Sequence, residues 1–151
     1  LRDIFKAIAV TTFEVLSEKV KNFEASFSNM PPIVMFYSFE GDLLCLFPQK
    51  NLTLELLKCD VSICHSILRN ALSQSDAEGL ILITAAVYDT ESGIQYVNVR
   101  TTPDAVVFFV FSKSLNDGAC LSVHLNNPTS PKYIDASEFG KDLDLLITPQ
   151  H

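Results

Sequence analysis

Two uninterrupted apolar runs, "LILITAAVY" at 80–88 and "AVVFFVF" at 105–111, do most to limit what this chain can fold into. Each falls well short of the about 18 residues a membrane-spanning helix needs. Both are bounded by turn formers, so they read as strands. A strand that is apolar at every position, without alternation, is covered on both faces. The run at 105–111 is therefore expected to be the interior of a sheet, and the rest of the chain must supply cover for two sides.

Helical patterns supply that cover. Residues 1–27 place Phe5, Ile8, Phe13, Leu16, Val20, Phe23 and Phe27 at steps of three, four and five, one apolar stripe of a long amphipathic helix. Met30-Pro31-Pro32 ends it, because proline lacks the amide that would continue the ladder. A second helix is expected from Val61 to Leu72, with Asp60 as its N-cap. Between the helices, "IVMFYS" (33–38) and "LLCLFP" (43–48) flank Phe39-Glu40-Gly41-Asp42 as a β-hairpin. Both of its runs are continuously apolar, so both are expected to be covered on two faces. "NLTLELL" (51–57) fits a strand or a helical turn equally well.

Four strands follow, at 80–88, 94–100, 105–113 and 119–124, joined by turn-forming "DTESG", "TTPD" and "SLNDG". These intervals predict an antiparallel meander. "KYIDA" (132–136) adds a last strand after the connection "NNPTSP", and the tail "EFGKDLDLLI" suits a short helix or an edge strand. The fold class is thus α+β: one antiparallel sheet of about five to seven strands packed with two or more helices. The order of helix, hairpin, helix and meander over residues 1–125 resembles the layout of the roadblock and profilin-like families. In those families helices pack on one or both sides of an antiparallel sheet. The resemblance is one of topology, carried by no motif, and it assigns no binding residue. No repeat or linker divides the chain, so residues 1–151 are expected to form one domain with one core.

Charge narrows the partners. A net charge of -7, with 11 scattered basic residues, disfavours nucleic acid and anionic membrane, which need clustered Lys and Arg. Four cysteines, at 45, 59, 64 and 120, lack the dense spacing of a disulfide scaffold. Without a basic leader and apolar segment at the start, a reducing cytoplasm is the expected setting.

The chemistry candidates concentrate in "KCDVSICHSILRNAL" (58–72). Cys59, Cys64 and His65 could be metal ligands or a thiol nucleophile with its base. Structural zinc draws on two short-spaced pairs of ligands, and this segment offers one; Cys120 and His124 share a strand face and would complete a mixed site only if the two elements met. Cys64 falls on the apolar helix face, as a packing cysteine does, and Asp60 beside Cys59 works against a thiolate. Ser62, His65 and Asp60 lie too close on one helix to surround a substrate. The acid pairs Asp89 with Glu91 and Asp142 with Asp144 occupy turns or edges, where acids are solvated. No glycine-rich phosphate loop is present. No metal or cofactor is expected.

These readings favour a non-catalytic protein-interaction or regulatory module. One alternative is a small-ligand module with a pocket between sheet and helix; a second is a cysteine-dependent enzyme. Apolar residues at 48% against charged ones at 19%, where about 25% is usual, leave little polar cover, so a homodimer is expected. Its contact is placed on the exposed side of the first helix or on the flank around Ile94 and Tyr96.

Overall fold

The computed structural model describes residues 3–19, 32–52, 61–89, 93–96, 105–139 and 141–149. Its elements are α1 (Asp3–Lys19), β1 (Ile33–Glu40), β2 (Leu43–Pro48), α2 (Val61–Ser73), β3 (Gly79–Asp89), β4 (Gly93–Tyr96), β5 (Ala105–Ser112), β6 (Asp117–His124), β7 (Asn127–Ile134), a 3-10 helix (Ala136–Phe139) and α3 (Lys141–Ile147). This is the α+β class with a wholly antiparallel sheet, in the order β2-β1-β3-β5-β6-β7, with β4 paired to β3 off that path.

Alternation along β5 explains the layering. Val107, Phe109 and Phe111 join Leu68 and Leu72 of α2 and Leu143, Leu146 and Ile147 of α3 in one apolar cluster. Val106, Phe108 and Val110 join Phe5, Ile8, Phe13 and Leu16 of α1 in the other. The sheet is therefore sandwiched, with α1 on one face and α2 with α3 on the opposite face. Every residue of β5 is buried, as its unbroken apolar run predicts.

The first helix keeps its stripe inward, and Thr12, fully buried on that stripe, gives its hydroxyl proton to the Ile8 carbonyl at 2.7 Å. That bond satisfies a polar group which burial alone would penalise. Val20, Phe23, Phe27 and the Met30-Pro31 stop lie outside the described residues, as does the Asp60 cap. The hairpin turns at Gly41, whose φ of 62° places it in the left-handed region that glycine tolerates.

Three expectations need correction. The strand β2 is not covered on both faces: it is the outer strand of its edge, with Leu43 64% and Phe47 48% exposed. The four late strands are not a simple meander either. In register, β3 pairs with β5 along Gly79–Ala86, while β4 folds back on the opposite side of β3, beyond the stretch that β1 occupies. Finally, the connection "NNPTSP" largely belongs to β7. Prolines 128 and 131 are tolerated there because β7 is the last strand of the order, with no second ladder among the described residues waiting for their missing amides. Residues 50–52 form a helical turn, and the acidic tail forms the 3-10 helix and α3.

Candidate functional site

Glu78 stands one residue before β3, and the ladder reaches it. Its amide donates to the Tyr37 carbonyl at 2.8 Å and its carbonyl accepts from the Lys113 amide at 2.9 Å. The backbone is therefore clamped between β1 and the turn that follows β5. That turn, 113–116, closes with the Asn116 amide on the Lys113 carbonyl at 3.2 Å. Asn116 takes a φ of 45°, a left-handed conformation that asparagine adopts more readily than most residues.

This arrangement sets the Glu78 carboxylate against the end of β5. Its Oε1 accepts from the Ser112 hydroxyl at 2.8 Å, from the Ser114 amide at 3.3 Å and from the Ser114 hydroxyl. Burial on its own would raise the Glu78 pKa. The Ser114 and Ser112 hydroxyls, the Ser114 amide and the Lys113 charge outweigh that and hold it below the ordinary value. Ser112 Oγ in turn accepts from the Leu115 amide at 3.3 Å. Beside this network the buried Tyr37 donates its hydroxyl proton to the Phe111 carbonyl at 3.0 Å. Burial, reinforced by the Glu78 charge, pushes the phenol pKa well up, so it remains a donor.

A cavity of about 380 Å³ opens over these groups, lined by Ile4 of α1, Tyr37 and Phe39 of β1, and Glu78, Ser112, Ser114 and Leu115. Its volume falls in the range of small-molecule pockets. Ile4, Phe39 and Leu115 are more than a third exposed. The Phe39 ring meets the Tyr37 ring edge-on, centroids 5.8 Å apart, so the apolar rim is braced against the floor.

The two cations nearby serve the helices. Lys113 Nζ donates to the carbonyls of Ser75 at 2.6 Å and Leu72 at 3.2 Å, capping the end of α2. The Arg69 guanidinium lies 3.6 Å from the Phe111 ring centroid. Its Nη2 donates to the carbonyls of Leu145, at 3.3 Å, and Thr148, at the end of α3.

The residues singled out in the sequence are not in this cavity. Cys64 is buried on α2, 8% exposed, as its place on the apolar stripe predicts. His65 is half-buried one position on, with Nε2 3.3 Å from the Ser66 hydroxyl and Nδ1 buried without a partner among the described residues. Neighbours on a helix point about 100° apart, so the two side chains diverge. Cys59 lies outside the described residues. Cys120 is buried on β6 in the cluster beneath α2 and α3, and His124 sits half-buried at that strand's end. Among the described residues no three His, Cys, Asp or Glu side chains could together hold a metal ion. Asp144 is half-buried on α3 and Asp89 ends β3, while Glu91 lies outside the described residues. Ile94 and Tyr96 fall on β4, opposite Tyr88 and Ala86.

Nothing in the sequence pattern marks Glu78, Ser112 and Ser114 as neighbours, since 34 and 36 residues separate the glutamate from the two serines. Among the described residues no helix is long and apolar enough to cross a membrane. No family model, curated protein or solved structure matches the chain, and the likeness to the roadblock and profilin-like layouts is not confirmed.

Proposed function

We propose that this protein works by binding other protein surface, not by catalysis, and that its first partner is a second copy of itself. The observation that carries this reading is the contrast between the two outer strands of the sheet. Natural edges are blunted by proline, lysine and polar side chains that discourage further pairing. The strand β7 is built that way, with Pro128, Thr129, Ser130, Pro131 and Lys132. The strand β2, "LLCLFP", carries no charge, shows Leu43 and Phe47 to solvent, and pairs only with β1 among the described residues.

Charge favours self-pairing at that edge. Exposed Glu40 and Asp42 stand at one end of β2 and exposed Lys50 just beyond the other. Two copies of β2 set antiparallel about a twofold axis bring the acidic end of each to the basic end of its partner. The rest of the -7 charge stays outside the contact and keeps the assembly from growing. A reducing, cytoplasmic setting suits this reading, in which Cys45, beside Leu44 and Leu46 on the pairing strand, remains a thiol.

Sedimentation equilibrium over about a hundredfold range of concentration tests the proposal. A dimer is expected, and Phe47→Lys should convert it to a folded monomer by setting a charge among the apolar side chains of the contact, as lysine does on natural edge strands. Tyr96→Glu, on β4, should leave the dimer intact. A monomeric mass throughout overturns self-association. Dissociation by Tyr96→Glu but not by Phe47→Lys moves the contact to the β4 flank.

A further inference from the structure

The polar groups around the cavity at Glu78 share a property that the fold does not require of them: their protons are already spent inside the protein. The Ser112 and Ser114 hydroxyls both donate to Glu78 Oε1, and the Tyr37 hydroxyl donates to the Phe111 carbonyl. All three hydrogen bonds received by the carboxylate fall on Oε1, and none among the described residues reaches Oε2. What these side chains offer a visitor is therefore lone pairs and a negative charge. Around them stand the apolar side chains of Ile4, Phe39 and Leu115, each exposed by 37–38%.

We propose that this cavity binds a small organic ammonium, an alkyl or aryl amine in its protonated form, with its N–H donors on Glu78 Oε2 and the serine hydroxyl oxygens and its apolar body against Ile4, Phe39 and Leu115. Three points select this class. A site that presents acceptors takes a donor, and a carboxylate makes its strongest hydrogen bonds to a charged one. A metal ion fits poorly, because one carboxylate supplies too few ligands and no cluster of metal-binding side chains occurs among the described residues. A carboxylate or phosphate ligand would meet Glu78 as a like charge. Lys113, whose charge acts on Glu78, turns its Nζ to the Leu72 and Ser75 carbonyls and so does not compete for the same oxygen.

The site is also rigid before any ligand arrives. The Glu78 backbone is bonded on both sides, and its carboxylate is fixed by three donors, so little ordering remains for binding to impose. This inference is independent of the self-association proposed above, since the cavity lies between α1, the end of β1 and the turn after β5, and β2 contributes no lining residue.

Nuclear magnetic resonance titration of the whole chain with n-hexylammonium, n-hexanol and hexanoate decides the matter. Hexylammonium should move the amides of Glu78, Ser114 and Leu115 saturably. Hexanol should bind at least about tenfold more weakly, and hexanoate should leave those amides unmoved. Glu78→Gln keeps an acceptor for the serines but removes the charge, and should weaken hexylammonium by about tenfold or more. Phe39→Ser, at an exposed rim position, should also weaken it while leaving Glu78 in place, which keeps the test usable if the glutamine variant fails to fold. No saturable shift with hexylammonium overturns the proposal. So does equal binding of hexanol, or binding untouched by the substitutions.

Discussion

The ring of Tyr37 crosses the backbone of its cross-strand partner Gly79 to place its hydroxyl 3.0 Å from the Phe111 carbonyl, one strand further into the sheet. Glycine is what makes this crossing fit. A Cβ at position 79 would overlap both the Tyr37 ring and the Phe111 carbonyl oxygen. In an ordinary strand Gly→Ala stabilises, because alanine gives up less backbone freedom on folding. Here the sign reverses: Gly79→Ala should destabilise by about 1–3 kcal/mol through overpacking. Tyr37→Phe, which keeps the ring and removes only the bond, should cost about 1 kcal/mol. Denaturant melts of both variants check the pair, and a Gly79→Ala protein as stable as the parent would show that the ring does not lie across the strand.

The state of Glu78 makes stability depend on pH in a definite direction. Its folded pKa lies below the ordinary 4.5, so between the two values the unfolded chain binds more protons at this site than the folded one. The contribution of Glu78 is complete above pH 4.5 and is lost as pH falls through the lower folded value. Glu78→Gln has nothing to titrate. Urea midpoints measured from neutral pH downward should therefore fall less steeply below pH 4.5 in the glutamine variant than in the parent. Parallel curves would mean that the serines do not hold the carboxylate in its ionised form.

In the core, Phe109 is fully buried between α2, α3 and the neighbouring strands. Phe109→Asp leaves a charge there without a partner, a cost of about 3–5 kcal/mol by comparison with broken buried ion pairs. That is a large part of the stability of a domain this size, and the variant should not accumulate as folded protein. Cys64→Ala, at a buried position of α2, should cost only about 1–2 kcal/mol in lost packing. A cooperative melt from the aspartate variant, or a loss far beyond packing from the alanine variant, would count against these placements.

How much of this was visible in the residues follows from what each pattern encodes. The burial of β5, the inward stripe of α1 and the place of Leu68 and Leu72 on α2 depend on local periodicity, and the sequence displays it directly. Whether an apolar strand is central or outermost is not local. "LLCLFP" and "AVVFFVF" look alike, yet among the described residues β1 pairs on both sides while β2 has one partner, because the returning strand β3 joins β1 from the far side. The same limit hid the displacement of β4: turn residues show where a chain reverses, not which neighbour the next strand takes. The cavity was least visible of all. Its chemistry arises where a residue preceding one strand meets the turn following another, whereas Cys64 and His65 carry reactive atoms that are adjacent in sequence but diverge in space.

Arg69 supplies the last prediction, because its guanidinium ties α2 to Phe111 and to the end of α3 at once. The guanidinium stacks over Phe111, and one of its nitrogens serves both the Leu145 and Thr148 carbonyls where α3 ends. Those carbonyls have no partners within the helix, as the last carbonyls of any helix do not. A short helix of seven residues, Lys141–Ile147, has little stability of its own and depends on such tertiary contacts. Lysine would keep the charge but lose the stacking and the fixed geometry. Arg69→Lys should therefore cost about 1–2 kcal/mol, in line with hydrogen bonds from a charged donor to a partly exposed site. The loss should be local: hydrogen exchange should quicken at the α3 amides while the β5 amides, buried on both faces, keep their protection. Uniform quickening in both elements would mean that Arg69 supports the whole core, and unchanged exchange in α3 would mean that the helix is held by Leu143, Leu146 and Ile147 alone.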